Sequence, residues 1–553
     1  MPADGASDSD AFAADSDGPD ESVDTGPPIR GTARATVTHY FYHFDIAATR
    51  AVSQLTLTTT SPGDCLAIPF RSGAVAEDVV INDVPARDPV VESDVLIACD
   101  PADHGWPIGS TLVLGATSRP PSAPLGPTQV GYTTRPDRAG RRFAYMLSWV
   151  GECDRQGPCD STPGLFATYR FAVDHAMGTR VLCPGTITAM PTHTVCDFNF
   201  AGGPTYSTFF FVAGQSWTET PLGTSAGVQI SLFDIPASGV GAAIDAGNTL
   251  GFLQWMTDTF GTFPYGDRLR IIVGPTYWSG FEHPGNIVIA ESLAPENVNH
   301  TVTHEIAHQW AGDQATVAST ADFVWKEAMA EYLSFVWEDE NRGHDVALVT
   351  SLRWRSASRS LREHPIPATA IPLFSHYNSA YGPGPMVLFR QLEVMYSRAA
   401  VLRALRTLLG RPRSLSVTDV RIALETALGV SLVDYVDRWL KGSGPPVWPT
   451  VSMTGSIAAM EPLTFRVAFG DGRYRACRFT VRLRGAVGEQ QDLRFDLGLD
   501  GRGMLSQTVT PTFVVQRVEV DPDGEALVFG DASIPVAPGG IVSTIPSRFW
   551  IAP

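Results

Sequence analysis

Positive charge is scarce in this chain: 40 Lys and Arg stand against 58 Asp and Glu, for a net charge of −18. That balance leaves no basic stripe to neutralise phosphates, which excludes a nucleic acid as the expected partner. Long apolar runs are missing too. No stretch reaches 18 uninterrupted apolar residues, so no membrane-spanning helix is expected. The chain does not open on a basic segment followed by an apolar one, as a secretory signal peptide does. Residues 1–29 hold Asp, Ser, Ala, Gly and Pro with hardly a large apolar side chain. Burial there cannot offset the entropy of ordering, and a disordered acidic tail is expected. Cysteine is limited to seven residues, none at the spacing of a zinc knuckle.

What remains is ample for several cores, since 553 residues suggest two to four domains. From about 30 to 238, short β-type runs such as Thr36–Phe41, Leu55–Leu57, Thr111–Leu114 and Tyr206–Gly214 are punctuated by Gly, Pro and Asp. Such density of strands without helical periodicity predicts an all-β domain. Near 239 the period changes. Leu250, Phe252, Leu253, Trp255, Met256 and Phe260 recur at helical spacing, so a mixed helix-and-strand domain is expected over 239–445. From 446 to 553, Thr450–Met453, Leu463–Phe469, Arg478–Leu483 and Phe513–Val520 alternate with period two and predict a β-sandwich.

Six of the cysteines lie before residue 200, where 15 pairings are possible. Proximity in sequence favours Cys65–Cys99, Cys153–Cys159 and Cys183–Cys196, leaving Cys477 free. Bridges of this kind imply an oxidising, extracytoplasmic compartment: periplasm, cell envelope or medium. Reduced, buried cysteines in a cytoplasmic protein are the alternative.

The chemistry concentrates in Thr303-His304-Glu305-Ile306-Ala307-His308, with Glu327 after eighteen intervening residues. Residues four apart on a helix share a face, so His304 and His308 can present two imidazoles to one metal ion, with Glu305 beside it. Chance gives such a motif in about one chain in a hundred of this composition, and in about one in three thousand with the later Glu required. Zinc takes a third protein ligand and keeps a fourth position for water, and Glu327 is the candidate. His300 is also four residues from His304, but without Glu at the second position it is read as a helix-face histidine. Glu331, one turn beyond Glu327, is read as orienting a ligand histidine.

The segment THEIAHQWAGDQAT (303–316), followed by Trp325-Lys326-Glu327-Ala328-Met329-Ala330-Glu331-Tyr332, resembles the zinc signature of the aminopeptidase N family of gluzincin metallopeptidases. The resemblance extends over nearly all of residues 30–553. It implies one zinc ion, with His304, His308 and Glu327 as ligands and Glu305 as general base. Gly280-Phe281-Glu282-His283 resembles the family's exopeptidase motif. Gly280, Phe281 and Glu282 are thereby implied in substrate binding, with Glu282 on the free α-ammonium of a peptide, and Phe281 toward the first side chain. Tyr377 to Leu388 is similar to the family's catalytic tyrosine segment. It implies Tyr381 as the oxyanion donor, with Tyr377 as fallback and Pro383 where relatives usually carry Lys. The amino-terminal domain of relatives also lends a Gln or Glu to the amine; here Trp149 falls near that place and Glu152 is the nearest carboxylate.

The fold implied is multidomain α+β: an N-terminal all-β saddle-like domain, a thermolysin-like α/β catalytic domain and a C-terminal β-sandwich, without the helical fourth domain of many relatives. The activity implied is zinc-dependent hydrolysis of the first peptide bond of peptides with a free N-terminus, by a monomer. The acidic tail before a cysteine-bearing domain resembles an exported bacterial protein whose signal or anchor is absent from this sequence. Two alternatives stand beside this reading. One is a gluzincin endopeptidase; the other is a non-catalytic family member that binds peptides as a scaffold, and Pro383 and the altered exopeptidase motif speak for it.

Overall fold

A computed structural model describes residues 29–71, 75–119, 130–349, 386–440, 449–526 and 533–535. The expected acidic tail up to residue 28, and Tyr377, Tyr381 and Pro383, lie outside the described residues. The chain is mixed α and β, with several separate sheets.

The first third is sheet because its sequence alternates. Strand β1 (Ala35–Asp45) turns Tyr40, Tyr42 and Phe44 into the core and leaves His39, Phe41 and His43 on the outer face, the period of a strand with one covered side. It pairs antiparallel with β2 (Arg50–Thr59) and parallel with β3 (Phe166–Asp174), which pairs antiparallel with β4 (His193–Pro204). These four lie within an eight-stranded sheet. A four-stranded sheet that includes Phe210–Gly214 packs against it, with the Phe211 ring 5.2 Å from that of Phe44.

The expected strand from Tyr206 is interrupted. Thr205–Thr208 forms one helical turn and the strand begins at Phe210. The Ser207 and Tyr206 hydroxyls reach the Asp313 carboxylate at 2.6 and 3.3 Å, a long-range contact that overrides local β propensity. The three expected disulfides are present, and Cys477 is free and buried. Cys65 and Cys99 face one another across an antiparallel pair.

Two further strands, β5 (Thr218–Ser225) and β6 (Val228–Asp234), precede the change of period at 239. They nevertheless belong to the sheet that carries the site. After them comes helix α1 (Ala246–Phe260), where the Asp245 carboxylate caps the first turn by accepting from the Asn248 N–H at 3.0 Å. The sheet is completed by β7 (Arg268–Gly274), β8 (Gly280–His283) and β9 (Asn286–Ala290), in the order β5-β6-β7-β9-β8, with β8 an antiparallel edge.

Helix α2 (Pro295–His308) lies along β8 and β9 and packs against α3 (Phe323–Asn341). Pro295 occupies the first turn, where its missing N–H leaves no bond unmade. The helix stops at His308. Gly312 takes a φ of 146° and the Asp313 N–H returns to the His308 carbonyl at 2.9 Å, which folds the chain back under the helix end. No described helix is long and apolar enough to cross a membrane.

Among the described residues from Met386 to Trp439, four helices and the short strand Arg413–Leu415 are joined by short connections. A three-stranded and a four-stranded sheet follow, with the expected alternation of buried and exposed residues. The run from Phe513 is strand only over Arg517–Val520. Val515 is buried and Val514 is 52 % exposed, whereas Val518 and Val520 are the buried residues of the strand, so the buried face changes parity before the strand begins.

Candidate active site

One helical turn on α2 brings the His304 and His308 Nε2 atoms within 3.0 Å of each other, their rings nearly perpendicular at 85°. Glu327, on α3, sets Oε2 at 3.0 Å from His304 Nε2 and 3.3 Å from His308 Nε2. The opposite ring nitrogens are already engaged. His304 Nδ1 donates to Glu331 Oε2 at 3.1 Å and His308 Nδ1 donates to the Ala311 carbonyl at 2.9 Å. With each neutral imidazole's proton on Nδ1, both Nε2 atoms offer lone pairs. Two nitrogen acceptors and a carboxylate oxygen therefore converge on one point, an arrangement that a cation between them satisfies. The donor set of two imidazoles and one carboxylate is that of catalytic zinc.

Glu331 holds the His304 ring, and it does so as part of a chain. His300 is not a solvent-facing histidine: its Nε2 lies 3.2 Å from Glu331 and its Nδ1 3.0 Å from Glu338. Burial lowers the His300 pKa, but the two carboxylates outweigh it and push the value up to about 9. The helix face that bears His300 is covered by α3, so it had to carry paired polar groups.

Glu305 lies beside the cluster on the buried side of α2. Burial pushes its carboxyl well above the usual range; His304 opposes this, the charges of Glu282 and Glu327 add to it, and Lys326 opposes it least. Its Oε2 is buried with no hydrogen-bond partner among the described residues. Gly280 is the reason it fits. A Cβ on Gly280 would fall 2.2 Å from Glu305 Oε1, so the strand edge must be bare at that residue.

Strand alternation splits the exopeptidase-like motif between two faces. Gly280 and Glu282 face Glu305 and His308. Phe281 faces away: its ring is 2 % exposed, 5.0 Å from Trp149 and 4.7 Å from His283. This corrects the expectation that Phe281 lines a pocket for the first side chain.

The expectation for Glu282 is altered by a residue the sequence did not single out. Glu282 forms an ion pair with Lys326 Nζ, which also donates to Glu327 Oε1 at 2.6 Å. The Lys326 side chain is 0 % exposed, and its ammonium lies 5.1–5.4 Å from the ring centres of Trp149, Tyr206 and Phe323. The two acids outweigh burial and raise its pKa, so it is a charged ammonium. Lys326 and Lys441 are the chain's two lysines, all other basic residues being Arg. A compact ammonium suits a gap between two carboxylates, which a guanidinium fork would overfill. That rarity was the available signal. Trp149 is thus beside the site as expected, while Glu152 is engaged elsewhere, with Arg71 at 3.1 Å and with Arg155.

Asp313 was also missed. It accepts from Ser207, Tyr206 and Gln309, and burial followed by the charge of Glu282 lifts its carboxyl to about 8. It fastens the N-terminal sheets to the end of α2.

Fold and cluster together present the donor set of a zinc metallopeptidase, two imidazoles and one carboxylate. Residues 247–416 match the model of the Peptidase family M1 domain. It is 25 % identical over 335 residues to the Probable aminopeptidase 1 of Sulfurisphaera tokodaii, covering 54 % of this chain and 41 % of that protein. Aminopeptidase A of Legionella pneumophila, solved with aspartic acid, is similar in structure at a TM-score of 0.70 and 15 % identity, over 89 % of this chain and 59 % of that one. A mutant of a two-domain M1 zinc metallopeptidase, bound to L-tryptophan, gives a TM-score of 0.63 at 20 % identity, over 74 % of this chain and 95 % of that one. The chain thus spans less than two thirds of the first two relatives' length.

Proposed function

We propose that this protein is a zinc-dependent aminopeptidase that hydrolyses the first bond of peptides with a free N-terminus. The observation that carries the reading is the meeting of His304 Nε2, His308 Nε2 and Glu327 Oε2 with both Nδ1 atoms already donating elsewhere. Zinc held there supplies an acidified water and polarises the scissile carbonyl. Glu305 takes the proton from the attacking water and returns it to the leaving amine. Its unpartnered oxygen, against Gly280, is available for that transfer. Tyr381 is assigned as donor to the oxyanion on resemblance alone.

Glu282 is proposed to receive the α-ammonium, sharing its charge with Lys326. The remaining assignments are the saddle-like, thermolysin-like and sandwich domains within the mixed fold, and an extracytoplasmic location, which the three disulfides support.

A second reading rests on Lys326. Because Glu282 already carries an ammonium, its pull on a free amine is weakened, which favours cleavage within peptides. Matched free and N-acetylated peptides, assayed with and without chelator and beside Glu305→Gln, separate the readings. Cleavage confined to free peptides supports the aminopeptidase, and equal cleavage of both supports the endopeptidase. Chelator-insensitive activity, or an active Glu305→Gln, sinks both.

A further inference from the structure

A second cluster of metal-binding side chains lies on the outer face of the eight-stranded sheet. We propose that His43, Asp174 and His193 form a second metal site there, one that takes a single divalent ion of the late first-row series such as zinc or copper.

The placement follows from register. Asp174 on β3 is directly paired with His193 on β4, and His43 on β1 is opposite Ala172, the next outward position along β3. Alternation sends all three side chains to the same face. His43 Nε2 is 2.7 Å from Asp174 Oδ2, and His193 Nδ1 is 2.5 Å from Asp174 Oδ1. The two rings stand 5.7 Å apart at 85°, so their nitrogen-bearing edges converge on the carboxylate. One donor atom from each of the three residues lies within 4.8 Å of the others.

Ligand bonds of about 2.0–2.2 Å place tetrahedral donors roughly 3.3–3.6 Å apart, so side-chain rotation alone converts this triplet into a chelate. Ala172, opposite His43, carries only a methyl and is buried. The three side chains are 38, 40 and 30 % exposed, so the remaining coordination positions face water. Arg170, on the same face, is turned toward Asp197 at 3.5 Å. Two imidazoles and one carboxylate select zinc, copper or nickel over magnesium or calcium, which prefer all-oxygen shells. The net charge of −18 raises the local concentration of any cation. An ion held here braces three neighbouring strands, a structural rather than a catalytic role.

The test is metal stoichiometry on the full chain, comparing wild type with His43→Gln and with His43→Gln/His193→Gln after equilibration with zinc. The readout is the difference between proteins, so loss of zinc from the α2–α3 site leaves it unchanged. The expected result is one zinc fewer per chain in both variants, and a copper(II) resonance with nitrogen splitting in wild type that these variants lose. Equal zinc content, with unchanged copper spectra, overturns the proposal, since the three residues would then be only hydrogen-bonded. Aminopeptidase turnover by the zinc-loaded variants serves as the check that they are folded.

Discussion

Gly280 is the residue on which the proposed general base depends. With Oε1 of Glu305 2.2 Å from where a Cβ would stand, Gly280→Ala has to push that carboxylate aside. A misplacement of about 1 Å costs on the order of a hundredfold in rate. Turnover by Gly280→Ala should therefore fall about a hundredfold while zinc content, measured in parallel, stays at the wild-type level. Lys326 makes the complementary case. Removing one partner of a buried ion pair costs about 3–5 kcal/mol, so Lys326→Met should lower unfolding free energy in urea by that order. In the surviving fold Glu282 loses its internal cation, and the ratio of free to N-acetylated peptide turnover should rise. A ratio that stays flat would show that Glu282 does not meet the amine.

Between elements, α2 and α3 are joined by a ladder of alternating histidines and carboxylates: His304, Glu331, His300, Glu338. The ladder fixes the tautomer of His304 by holding its Nδ1 proton. Glu331→Gln should weaken zinc binding about 10–100-fold, read by competition with a chelator of known affinity. The spacing of His300 and His304, and of Glu327 and Glu331, was legible in the sequence because a helix repeats every turn, whereas Glu338 and the pairing of His300 with two carboxylates were not. Nor was the end of α2. It depends on Gly312 and on the Gln309 side chain, which joins the Gly285 N–H and the His283 carbonyl on a different element.

At the scale of the molecule, stability is distributed between bridges and metal. Cys65–Cys99 closes a loop over a separation of 34 residues, for which chain entropy gives about 4 kcal/mol. Cys65→Ser/Cys99→Ser should lower the unfolding free energy by an amount of that order, measured against wild type under oxidising conditions. Zinc at the α2–α3 site binds only the folded arrangement. A chelator should thus lower the thermal midpoint of wild type but barely move that of Glu327→Gln, whose site is already impaired.

By itself the sequence determined whatever depends on near neighbours along the chain. That covers the two histidines one turn apart, the alternation that makes the outer sheets and the three cysteine pairs. Tertiary structure decided which groups from distant segments meet. It added β5 and β6 to the site's sheet, bent Thr205–Thr208 onto Asp313, turned Phe281 away from the cluster and set the Lys326 ammonium against Glu282. The physical reason is that backbone periodicity is local, whereas an ion pair between an edge strand and a helix exists only once the two have packed and excluded water.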